Sequence, residues 1–139
     1  MKACLAFVPV ALALVAWTAG CAAAANGPDT RLGQEFSLSV GQSRRIQGEE
    51  LTVKFLEVAS DSRCPSKVTC IWAGEVKALV DVAHSGSVNQ VVLTQPGLTD
   101  DAGNQVFKEY RLTFHVAPYP EAGRQISKDE YRLRLTVSK

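Results

Sequence analysis

The chain has 139 residues, 46% of them hydrophobic and 21% charged, enough for one ordinary domain. Fifteen basic residues against 14 acidic ones leave a formal net charge of +1, with no long run of either sign. That balance excludes electrostatic capture of nucleic acid; Arg44-Arg45 and the alternating Arg132 and Arg134 read as a solvated turn and a solvated strand face.

Residues 1–25, MKACLAFVPVALALVAWTAGCAAAA, start with one lysine, run apolar from Ala3 to Ala19 and end in small residues. That is the order of a secretory signal. About 20 apolar residues would also span a bilayer, but the small-residue block favours cleavage. Thr18-Ala19-Gly20-Cys21 resembles the lipobox of bacterial lipoproteins, which implies a signal over 1–20 and Cys21 as the lipidated first residue of the mature chain. The rival is cleavage at Ala23-Ala24-Ala25, which leaves Asn26 first and the protein secreted in soluble form. Ala22 after the lipidated cysteine favours the outer membrane. Either way the chain folds outside the cytoplasm, and in the first case the membrane is its partner through the anchor. Residues 21–33 then hold the anchor cysteine and a short tether, NGPDTRLG, ahead of a single β-domain over 34–139.

From Gln34 onward the apolar pattern has a period of two. LTVKFLEVA offers Leu51, Val53 and Phe55, then shifts phase to Leu56 and Val58, the mark of a bulge. EVKALVDVAH places Val76, Ala78, Val80 and Val82 on one face, and His84-Ser85-Gly86-Ser87 turns it into SVNQVVLT. YRLTFHV and YRLRLTV set Tyr110, Leu112, Phe114 and Val116, then Tyr131, Leu133, Leu135 and Val137, inward. Turn signals fall at Gly41-Gln42, Gln47-Gly48, Pro96-Gly97, Asp100 to Asn104 and Pro118-Tyr119-Pro120, with one short helical turn expected within 121–128. About seven strands with frequent turns predict an all-β fold. It is an antiparallel β-sandwich, immunoglobulin-like in topology, or a small barrel.

The segment DSRCPSKVTCIWAGE, residues 61–75, interrupts that pattern. Cys4 lies in the signal and Cys21 is lipidated or removed, so Cys64 and Cys70 remain as a pair. In an oxidising compartment they read as a disulfide closing a seven-residue loop, worth about 2 kcal/mol. Pro65 biases Cys64 toward extended backbone. Ser66, Lys67 and Thr69 suit a solvated tip, while Val68 and Ile71 can face the core. Trp72 shares parity with Val76, Ala78 and Val80 and is expected to face inward unless a bulge intervenes. Gly74 permits a bulge or a close backbone contact, and Glu75 can reach loop amides or Arg63.

Asp61-Ser62-Arg63-Cys64-Pro65, Cys70 and Trp72-Ala73-Gly74-Glu75 resemble a signature in a group of small secreted or lipid-anchored bacterial proteins. Pro118-Tyr119-Pro120 and Tyr131-Arg132-Leu133 fit the same pattern, so the likeness covers most of the chain after Gln34. It implies compartment and fold, and it carries no activity.

Chemistry finds little support. Zinc sites favour shorter gaps between paired cysteines and need further ligands, whereas His84 and His115 fall on separate elements. Met1 is the only methionine, so thioether copper sites are out. Asp100, Asp101 and Asn104 around Gly103 lack EF-hand spacing. Cys64 and Cys70 lack the Cys-x-x-Cys spacing of a redox couple. No Gly-x-Ser-x-Gly elbow occurs, and the neighbouring acids Glu49-Glu50 and Asp129-Glu130 point to opposite faces if extended. The expectation is a non-enzyme without cofactor or metal. It is a binding or structural module of the envelope that meets an envelope protein through a loop carrying Arg63, Lys67, Trp72 and Glu75. The alternative is an inhibitor of a protease or cell-wall hydrolase, offering Lys67 or Arg63 on a preorganised loop.

Overall fold

The computed structural model describes residues 27–97 and 102–139. The signal expected over 1–20, the lipidation expected at Cys21, and Asp100 and Asp101 lie outside the described residues.

Alternation of apolar and polar residues produces eight strands: β1 (Glu35–Ser39), β2 (Ser43–Ile46), β3 (Leu51–Asp61), β4 (Glu75–His84), β5 (Ser87–Pro96), β6 (Gly103–Phe107), β7 (Tyr110–Ala117) and β8 (Arg132–Ser138). They form two antiparallel four-stranded sheets, ordered β2-β3-β4-β5 and β1-β8-β7-β6. The sandwich expected from the pattern is therefore present. One sheet follows successive strands and the other pairs β1 with β8 beside β7 and β6, which is not the immunoglobulin order.

The inward sets named by the alternation are buried, except that Leu56 and Val58, after the phase shift in β3, are half-buried. Val76, Ala78, Val80 and Val82 of β4 face Leu112, Phe114 and Val116 of β7 and Leu133, Leu135 and Val137 of β8 in one core. The phase shift in β3 is a real irregularity, since its register against β4 slips between Phe55 and Glu57 and again between Val58 and Ser60. The β4–β5 hairpin turns on Ser85 and Gly86, both at positive φ (48° and 79°), the geometry of a two-residue hairpin loop. Two expectations shift. Gly103 and Asn104, read as part of a turn, open β6, and the short helical turn falls at Lys128–Glu130, three residues of 3-10 helix. The tether is also bonded to the fold at its end: Thr30 bridges Ile46, and Gly33 N–H donates to the Val137 carbonyl (2.7 Å).

The ladders fix two poles. The end of β3, the start of β4 and the end of β7 meet at one; the turns at Glu49, Ser85 and Lys108 meet at the other. Gly27 and Asp29 share a surface recess with Ser43, Arg45 and Thr52. The described chain thus enters along β2, the strand that pairs with the start of β3.

Candidate functional site

At the β3 pole an arginine is buried. Asp61 and Arg63 are two apart in extended chain, so their side chains turn to the same side. Arg63 donates to Asp61 from Nε (2.8 Å) and from Nη2 (2.6 Å), a bidentate pair. It donates also to the carbonyls of Val116 (2.8 Å, from Nη1) and Pro118 (3.0 Å, from Nη2), and its guanidinium lies 5.1 Å from the centre of the Tyr119 ring. Only 3% of Arg63 is exposed.

The need for this arrangement comes from the sheet. Among the described residues the β6 ladder ends at Gly103 opposite Phe114, and no described strand stands beside the Val116 peptide on that edge. Gln95 Oε1 accepts the Val116 N–H (2.7 Å) and Arg63 takes its carbonyl. A side chain of β5 and one from the loop after β3 thereby complete the backbone of the other sheet. The Tyr131 hydroxyl donates to Asp61 Oδ2 (3.1 Å); burial and the adjacent carboxylate push this phenol up to about 12. The Tyr119 hydroxyl lies between the carbonyls of Cys64 and Gly97, and the Ala117–Pro118 peptide is cis.

The loop grows out of this clamp. Ser66 N–H donates to the Pro120 carbonyl (3.0 Å), and Cys64 N–H to that of Ala73 (3.1 Å). Gly74, at φ 67°, sits so close to the Ser62 carbonyl that a Cβ would come within 1.8 Å of its oxygen. Cys64 and Cys70 form the expected disulfide, with Cα atoms 5.9 Å apart. Cys64 is buried and Cys70 is exposed, so the bond joins the clamp to the tip.

Beyond the disulfide the tip is apolar and open. Trp72 is 79% exposed, Ile71 94%, and Val68 also stands in solvent. This corrects the inward placement of all three. Gly74 in left-handed backbone breaks the alternation before β4 begins, so the parity of Val76 does not reach Trp72. Lys67 is exposed, at φ 68°. Glu75 pairs with Lys77 (2.8 Å) rather than with Arg63. Arg63, expected to meet a partner, is instead held inside.

The structure thus brings Lys67, Trp72 and the disulfide to one knuckle and takes Arg63 out of it. Asp61, Gln95, Tyr119 and Tyr131 were missed as parts of the site; Asp61, Tyr119 and Tyr131 stood out only within the resemblance signature, and nothing signalled Gln95. His84 lies at the opposite pole, its Nδ1 3.0 Å from Lys108 Nζ, and His115 stands on β7 opposite Arg134. Among the described residues no group of three His, Cys, Asp or Glu side chains could hold a metal ion. No protein-family model matches the chain, and no curated protein or solved structure matches it either.

Proposed function

We propose that the protein is a non-catalytic module of the bacterial envelope, exported, lipid-anchored at Cys21 and facing the periplasm from the outer membrane. In this reading it binds an envelope protein through the disulfide-clamped knuckle of Val68, Ile71 and Trp72. The observation that carries it is the exposure of Ile71 and Trp72 on a loop whose base is fixed by the Arg63 clamp. Large apolar side chains held rigidly in water lose little freedom when they enter a pocket, and tryptophan dominates binding energy at interfaces. The disulfide suits an oxidising compartment, and the order of the first 25 residues suits export.

The inhibitor reading is weaker. Arg63 is buried, and Lys67 sits in left-handed backbone, away from the extended form in which a strand-like segment pairs with a cleft. A photo-crosslinking residue placed at position 72 in producing cells tests the proposal. The expected result is one discrete adduct that Ile71→Asp abolishes and that the same probe at exposed Val106 does not give. Equal adducts from positions 72 and 106 would mean chance contact and would end the binding reading. The lipid is tested separately, by the intact mass of chain extracted from membranes.

A further inference from the structure

The edge of the first sheet is unguarded. Proteins keep edge strands from pairing with other chains by making them short, bulged or charged, or by covering them. β2 follows that rule: it has four residues, carries Arg44 and Arg45, and is bridged by Thr30. β5 breaks it. It runs ten residues, pairs with β4 in ten consecutive positions without a bulge, and contains no charged side chain. Its only proline is the terminal Pro96. β6 passes beside it at the sandwich corner but belongs to the other sheet, so among the described residues β5 has β4 alone as a ladder partner. Ser87 to Gln90 and Val92 are exposed, and Val88 is 66% so.

We infer that β5 is a self-association edge: two copies of this chain pair β5 to β5 in antiparallel register about a two-fold axis at Gln90. The sequence SVNQVVLTQP is self-complementary in this register. Val88 of one copy falls opposite Val92 of the other, and Gln90 falls opposite Gln90. All three share the outer face, because strand side chains alternate. The ladder with β4 carries the match further. Val92 is beside Leu79 and Val88 beside Ala83, so the joined sheet acquires two apolar rows, each Leu79, Val92, then Val88 and Ala83 of the second copy. Between them runs a polar row of Asp81, Gln90 and their two counterparts. The two Asp81 carboxylates stand three strands apart, roughly 14 Å, beyond the screening length at physiological salt. The pairing therefore brings no like charges together, gives the unpaired backbone of β5 a partner, and covers exposed valines. Neutral polarity favours a second copy over a charged partner peptide. The C-terminal end of β5 reaches the base of the knuckle, where Gly97 N–H donates to the Gly74 carbonyl (3.0 Å), while Ser87 lies beside His84 at the opposite pole.

Single-cysteine variants of the full-length chain, oxidised in detergent and mapped by peptide mass, test the register. Opposed residues of an antiparallel pair have Cα atoms roughly 4.5–5.5 Å apart, within disulfide reach. Gln90→Cys is expected to link to itself. Val88→Cys and Val92→Cys alone are expected not to, since each lies about four residues, roughly 14 Å, from its own counterpart; the double variant links 88 to 92. Sedimentation of the wild type should show a concentration-dependent dimer that Gln90→Lys weakens at least about tenfold, by setting two ammonium groups face to face. Equal linking at 88, 90 and 92, no linking at 90 above wild type, or a monomer at every concentration would each overturn the inference. A monomer that captures an extended peptide on β5 would assign the edge to a different occupant.

Discussion

Removing the Arg63 side chain would leave the Asp61 carboxylate facing a pocket emptied of its counter-charge and strip the carbonyls of Val116 and Pro118 of a donor. Breaking a buried ion pair from one side costs about 3–5 kcal/mol. Arg63→Ala is therefore expected to lower stability by that order in urea titration, and Arg63→Lys to recover little of it. An ammonium cannot bond Asp61 in bidentate fashion while reaching two further carbonyls and stacking on Tyr119. A change below about 1 kcal/mol for Arg63→Ala would show that the clamp is ornamental, and the loop base would need another anchor. Little of this was legible in sequence. Asp61-x-Arg63 was visible, but its partners Val116, Pro118, Tyr119 and Tyr131 lie more than fifty residues away, and nothing local specifies a contact across two sheets. A charged residue in a polar stretch reads as solvated until the fold surrounds it.

Among the elements, strands were far more legible than the loop joining them. β4, β7 and β8 could be read because one face of each is apolar without exception, and period two then fixes which side is inward. β6, five residues beginning with glycine and holding two amides, carries too weak an alternation. The loop of 62–74 defeated parity because Lys67 and Gly74 take left-handed backbone, after which a count of residues no longer gives a side. The disulfide was legible from arithmetic, its place in the element was not. It joins buried Cys64 to an exposed tip that makes few contacts with the core, so its energetic effect is local. Cys70→Ser is expected to cost about 2 kcal/mol at most. Amide exchange should rise sharply over 66–72, while the β3–β4 and β7–β8 ladders keep their protection. Global loss of protection would mean instead that the staple holds the sandwich together.

At the scale of the molecule, chain entry and knuckle belong to different strands of one sheet. The described chain enters along β2, which pairs with Leu51 to Lys54 of β3, and the loop springs from Asp61 at the other end of that strand. If the chain is anchored to a bilayer through residues ahead of Gly27, the exposed Trp72 either stands in water or enters that bilayer, and the two are distinguishable. The chain has two tryptophans, Trp17 and Trp72, and cleavage of the signal would remove the first. Fluorescence of the mature protein then reports Trp72 alone. In vesicles carrying spin-labelled lipid the anchored protein is expected to show a red-shifted, solvent-exposed emission that iodide quenches freely and the labelled lipid does not. Quenching by the lipid label would place the knuckle in the bilayer and make Ile71 and Trp72 a second membrane contact. Emission that neither agent quenches, in purified protein, would mean that a second copy covers the knuckle. Exposure to iodide alone would leave the apolar tip in water, open to the partner protein proposed above.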